Sequence, residues 1–241
     1  MKKMVFFRII PILAIVSFCQ LSWCDAAEVS SNDLTSVFNA MFSGDAEFPP
    51  RFAVNPAPVI ENPGIRIFIS QKHLNTILAA YLKHPIPLGH KSDNTGNSIR
   101  ADKLVVKPDI KRNILHVYIL GGILQLDNSY AGVGGKLTLK NAEFELAPVC
   151  KKNKQGKLIL ETRVRCVGLD IDGTAPMVDI GMAHLLQELY LDKQPIEPVD
   201  LTELVQLQNK KNGPPLDIQL DKAAVVMMDK GIEIQSSWRV N

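Results

Sequence analysis

Residues 136–171 constrain the fold most tightly, because two runs of strand-like alternation approach each other and both change face. Leu137 and Leu139 alternate with polar neighbours, and Phe144 and Leu146 do the same on the opposite parity. On the return, Leu158, Leu160, Thr162 and Val164 share one parity, and Val167, Leu169 and Ile171 take the other. A one-residue slip moves a strand's whole apolar set to the other face, so switches in both strands predict a bulge or a bend. With Asn153 at the tip of a hairpin, Leu160 faces Leu146, Thr162 faces Phe144, Val164 faces Ala142, Val167 faces Leu139 and Leu169 faces Leu137. This register keeps Cys150 and Cys166 about ten strand positions apart, roughly 33 Å at the usual rise. A disulfide needs α-carbons within about 7 Å.

A helix is expected next, over 176–191. Pro176 suits its first turn. Met177, Gly181, Leu185 and Leu189 form one stripe, which Val178, Met182 and Leu186 widen until the helix is apolar on most sides. Upstream, Ile65, Ile67 and Ile69 alternate as a short strand, and Ser70 can cap a helix over 71–83. The apolar face of that helix is Leu74, Ile77, Leu78, Tyr81 and Leu82, and Pro85 and Pro87 end it. Residues 114–126 are almost continuously apolar, as in a strand buried on both faces, and Gly121-Gly122 suits a corner or bulge within it. A final hairpin is expected to pair Met228 with Ile232 and Val226 with Ile234 around Asp229-Lys230-Gly231.

The chain of 241 residues opens with Lys2, Lys3 and Arg8 before a short apolar run, then Asp25-Ala26-Ala27. This is the pattern of a secretory signal peptide over residues 1–27. The apolar run is too short to span a bilayer, which takes about 20 residues. Leu21-Ser22-Trp23-Cys24 loosely resembles a lipobox, with bulky Trp23 where a small residue belongs, so lipidation of Cys24 is the alternative to export into the periplasm. The leader carries three of the 27 basic residues and one of the 25 acidic ones, so 24 of each remain. A balanced mature chain lacks the concentrated basic face that nucleic-acid binding needs.

Residues 28–64 read as an amino-terminal arm. Leu34, Val37, Phe38, Met41 and Phe42 have helical spacing, and Pro49, Pro50, Pro56, Pro58 and Pro63 exclude regular structure. The arm is a tether in one reading and a docking segment for a membrane or partner in another. The folded module is expected over 65–241.

Asp170-x-Asp172-Gly173 resembles the start of a calcium loop, but its twelfth position is Gly181, so it reads as a turn capping the next helix. His73, His84, His90, His116 and His184 lack the clustered spacing of a metal site. No nucleophile elbow or phosphate cradle is visible, and no catalytic residue, metal or cofactor is assigned. Glu143 is expected to face Arg163 as a solvated pair of small value.

Several stretches together resemble the tubular lipid-binding (TULIP-like) superfamily, the group of bactericidal/permeability-increasing protein. The closest likeness is to its small single-module bacterial periplasmic lipoproteins. The matching stretches are Ile69-Ser70-Gln71-Lys72-His73-Leu74-Asn75 opening a helix, the hairpin over 136–171, the helix over 176–191 and the closing Gly231-Ile232-Glu233-Ile234. The similarity is one of element order and covers about residues 65–240. It implies an α+β fold, with a strongly curved antiparallel sheet wrapped around a long apolar helix and a second helix near the start of the module. It also implies an apolar groove for acyl chains, lined by Leu74, Ile77, Leu78, Tyr81, Met177, Met182, Leu185 and Leu189. The expected function is a non-enzymatic, exported binding protein for lipid or another apolar ligand, with peripheral membrane contact. The alternative is an assembly module of the bacterial envelope whose apolar face meets a protein partner.

Overall fold

The computed structural model describes residues 47–54, 56–81, 84–87, 98–126, 135–192, 199–201 and 218–240. The leader, the amphipathic stretch over 32–42 and residues 88–97 and 127–134 lie outside them.

Two antiparallel sheets make up most of the structure, with 58% of the described residues in strands. Strand β1 (Ile65–Ser70) leads into helix α1 (Gln71–Tyr81), whose first turn is capped by the Ser70 hydroxyl accepting from the His73 N–H at 3.2 Å. There follow β2 (Ile86–Pro87), β3 (Ser98–Asp109), β4 (Ile114–Leu126), β5 (Gly135–Lys152) and β6 (Leu158–Ile171). Helix α2 (Pro176–Leu186) continues through a π-turn (Gln187–Leu191), and β7 (Val199–Asp200), β8 (Ile218–Met228) and β9 (Gly231–Val240) complete the order. Strands β2-β3-β4-β5-β6-β7 form one sheet and β1-β9-β8 the other. One apolar core joins them: Val117, Ile119 and Leu124 of β4 and Phe144 of β5 pack with Val225 and Met227 of β8 and Ile232 and Ile234 of β9.

This corrects the expected α+β architecture. Among the described residues there is no long apolar helix for a sheet to wrap, only two α-helices of 11 residues each. The apolar stripe of 176–191 misled because it is continuous in sequence, whereas the α-helix stops at Leu186 and the chain loosens into wider turns. Gln187 is turned inward there: its Oε1 accepts from the Cys166 N–H at 3.0 Å and its Nε2 donates to the Val164 carbonyl at 3.2 Å. The small sheet and α2 both pack with the large sheet in the common core.

The long hairpin forms with its expected faces but a different register. Leu146 pairs with Val164, Phe144 with Cys166 and Leu160 with Cys150, and the turn runs over 153–157. The expected pairing is off by four residues for Leu160, Thr162 and Val164, an even number that keeps their faces, and by five for Leu169, beyond the extra residue Val167. The face switches lie where the β3–β4 and β4–β5 ladders each skip one pair without a register shift, and only the β5–β6 ladder carries shifts. The ladders skip Asp102 opposite Gly121 and Gly121 opposite Lys140, so three strands change parity on one line across the sheet. In β6 the extra residue, Val167, is displaced from that line. Gly121 and Gly122 occupy this crease at φ of 75° and 150°. A side chain at Gly122 would put its Cβ 2.2 Å from the Arg100 carbonyl oxygen. The expected β8–β9 pairing is wrong by one residue: Met227 faces Ile232 across a two-residue turn, so Met227 is buried and Met228 exposed.

Beyond the two-residue strands β2 and β7, side chains bond the exposed ladders. On β3, the Gln71 amide donates to the Val106 carbonyl at 2.7 Å and Asn75 Oδ1 accepts from the Val106 N–H at 2.8 Å. On β6, Asp179 accepts from the Ile171 N–H at 3.2 Å beside the Gln187 contacts. On β8, buried Asn113 donates to the Val225 carbonyl at 3.1 Å and accepts from the Met227 N–H at 2.9 Å. Asn113 achieves this at φ 53°, a left-handed conformation that asparagine tolerates and alanine does not. Asn113→Ala should cost about 2–4 kcal/mol, from two unmet backbone groups and left-handed strain. Asn113→Gly should recover only the strain, which denaturant titration of both variants would show.

Candidate functional site

The described residues expected to line a groove take different places in the structure. Leu74 (1% exposed), Met182 (3%) and Leu185 (6%) belong to the common core. Met177, at 42%, faces solvent, and Ile77 is half-buried. The side chains of Leu78, Tyr81 and Leu189 lie outside the described set. A shallow, open depression does occur on α1, but it is lined by Gln71, Lys72, Asn75, Thr76 and Ala79 rather than by the expected residues. No helix among the described residues is long and apolar enough to cross a membrane.

The densest chemistry lies on the opposite face of the large sheet. Strands β4, β5 and β6 turn Phe144 and Leu146 to the core, so Glu143 and Glu145 point outward with His116, Tyr118 and Arg165. His116, Glu145 and Arg165 are direct cross-strand neighbours, as are Tyr118 and Glu143. Residues 47–54 of the arm lie across this face as a strap and bury Glu145 to 0% exposure. Arg112, from the β3–β4 turn, grips Glu145 with two bonds of 2.6 and 2.8 Å, and Arg51 adds a third at 2.8 Å. The Phe52 N–H donates to the same carboxylate at 2.9 Å. Arg51 also bonds Glu143 at 2.8 Å. His116 lies between Glu143 (3.0 Å) and Asp109 (3.6 Å).

The strap's own backbone is read as well. Arg112 donates to the Phe52 carbonyl at 2.6 and 3.2 Å, and Arg165 donates to the Pro50 carbonyl at 2.5 Å. The Arg165 guanidinium sits 4.4 Å over the centre of the Phe52 ring, a cation–π contact. Further along, the Glu47 carbonyl meets His184 Nε2 at 2.7 Å, and Phe48 packs against the core.

Burial alone would raise the Glu145 carboxyl, but Arg112, the Phe52 N–H and Arg51 outweigh it and hold it below the usual range. Glu143 is likewise pushed up by burial and drawn below its ordinary value by Arg51 and then His116. Stability from such groups is present above the unfolded carboxylate value and lost as pH falls through the depressed folded value. The midpoint of thermal unfolding should therefore hold steady above about pH 5 and fall steeply below about pH 4. Glu143→Gln should flatten part of that fall, as read by circular dichroism across pH.

Sequence reasoning placed Glu143 opposite Arg163; that position belongs to Ala147, and Arg163 meets Glu161 instead. The four-residue register error produced this. His116, Glu143 and Glu145 bring ligand atoms within 4.8 Å of one another, a grouping that isolated histidine spacing could not reveal. Both carboxylates are already held by guanidinium groups, so the cluster works as an ion-pair anchor. The legible hint was Pro49-Pro50-Arg51-Phe52, a cation and an aromatic ring set in a proline run. The thiols stay apart: six strand positions separate Cys150 from Phe144, the partner of Cys166. Burial pushes them up to about 11 for Cys150 and about 12 for Cys166, so both are poor nucleophiles. Asp170 and Asp172 bond Asn141 and Lys140 at a turn that Gly173 closes at φ 77°, in line with the turn reading of that motif.

No protein-family model matches the chain, and no curated protein or solved structure matches it either.

Proposed function

We propose that the protein is an exported, non-enzymatic module of the bacterial envelope that works by assembling with a protein partner. The observation that supports this reading is that Leu74, Met182 and Leu185, expected to line an acyl-chain groove, are buried in the core cluster shared by both sheets. Meanwhile Phe68 and Met228 are exposed on one face of the small sheet, flanking the Glu233 row. Apolar area of this kind gains about 25 cal/mol per Å² when a partner covers it.

Met182→Trp separates this reading from lipid binding. In a packed core the larger ring should cost about 1–3 kcal/mol, visible as a lower melting temperature. The parent protein should show no saturable uptake of a fluorescent fatty acid, and organic extracts of it should contain no stoichiometric lipid. Saturable uptake by the parent, abolished in a Met182→Trp variant that melts normally, would restore the lipid reading.

A further inference from the structure

We propose that the outer face of β4–β6 is a peptide-binding site for an extended proline-arginine-aromatic segment, filled in cis by the strap and open in trans to such a segment of the envelope partner. This rests on the preceding reading for the source of the ligand, and on geometry alone for the site.

The strap is held as a ligand is held. It adds no strand to the sheet; side chains of the sheet and of the β3–β4 turn read its backbone at three points. Glu145 accepts the Phe52 N–H, Arg112 takes the Phe52 carbonyl and Arg165 takes the Pro50 carbonyl. Two side chains are read in addition. Arg51 enters between Glu143 and Glu145, and the Phe52 ring lies under the Arg165 guanidinium. Together these requirements define a short motif: an extended residue with a free carbonyl, then arginine, then an aromatic. Proline at the first position suits the extended form, since it fixes φ and lowers the entropy of ordering. The site is a built one, because Glu145 is wholly buried and Arg112 nearly so, at 16%. The strap is less firmly enclosed: Arg51 is half exposed and Val54 points to solvent. A cis ligand with an exposed end can peel away and be replaced.

The test severs the strap after folding. A protease site inserted between Ala53 and Val59 of the full chain leaves the protein intact until it is cut. A dye-labelled synthetic peptide with the sequence of residues 47–54 is then offered to cut and uncut protein. The cut protein should bind it saturably and release its own fragment, while the uncut protein binds at least about tenfold less through competition from the tethered strap. Replacing arginine by alanine in the peptide should weaken binding about tenfold to a hundredfold, the usual loss for a charge-assisted pair. Glu143→Gln in the protein should weaken the parent peptide but not the alanine peptide. No saturable binding to cut protein that still melts cooperatively would overturn the site, as would equal binding of a scrambled peptide. Photocrosslinking in the envelope from position 163, exposed beside the site on β6, with strap-severed protein, tests the source. A crosslinked protein carrying the motif supports the proposal, and a dimer of this chain as the sole product overturns the partner assignment. Failure of the peptide arm leaves the partner reading standing on Phe68 and Met228; failure of all envelope crosslinks with the peptide arm intact removes that reading alone.

Discussion

Arg112→Ala should destabilise the protein by about 3–5 kcal/mol, because it leaves a wholly buried carboxylate with one guanidinium where it had two. At about 2–4 °C per kcal/mol for a chain of this size, the melting temperature should fall by roughly 10 °C. The informative comparison is the double variant Arg112→Met with Glu145→Leu. Removing both charges and keeping apolar volume should cost less than removing the arginine alone, since no unpaired charge remains buried. A double variant as unstable as or worse than the single would mean that Arg112 acts mainly through the Phe52 carbonyl, and the strap rather than the charge pair would then be the stabilising element.

Gly122→Ala should be one of the most damaging single methyl additions among the described residues. Its Cβ would sit 2.2 Å from the Arg100 carbonyl oxygen and 3.1 Å from the Ala101 Cα, both backbone atoms of the neighbouring strand that cannot rotate aside. With φ at 150°, the conformation itself resists a side chain. A loss of the order of 4 kcal/mol is expected, at the upper end for point substitutions. Gly156→Asn is the control: it lies in the β5–β6 turn with open space around it, at a φ of 76° that asparagine tolerates, and should cost less than about 1 kcal/mol. Urea titration of the two variants would show the contrast. Equal effects would mean that the crease relaxes freely.

These two sites mark where the sequence could and could not be read. Alternation over 136–171 revealed faces, because parity survives a register error of four residues, and the switch after Leu139 marks the crease, whereas the switch at Val167, expected to lie opposite it, is displaced to the level of Glu143 and Phe144. The register itself depends on turn length, and neither Asn153 nor Asp229-Lys230 carries a signal strong enough to set it. At β8–β9 the error was a single residue, which exchanged Met227 with Met228. The helix over 176–191 was expected to be the organising element because its apolar stripe is wide. In fact buried Asp179 and Gln187, which look like interruptions of the stripe, are the residues that define its position, bonding the open side of β6. The ion cluster was beyond local reasoning. Arg51 and Glu145 are 94 positions apart, and no pattern within either segment points to the other.

The strap also determines how the domain answers tension. It lies on the amino-terminal side of β1, so a pull from that direction reaches the Glu145 contacts before it reaches the β1–β9 ladder. Those contacts are few and are made by side chains, and they can give way one after another while the ladder's backbone bonds stay closed. Shedding eight residues would lengthen the connection by as much as about 28 Å, at up to about 3.5 Å for each extended residue. The arrangement is that of a mechanical fuse: a weak, resettable element in series with a strong one, which absorbs extension as slack before force reaches the core.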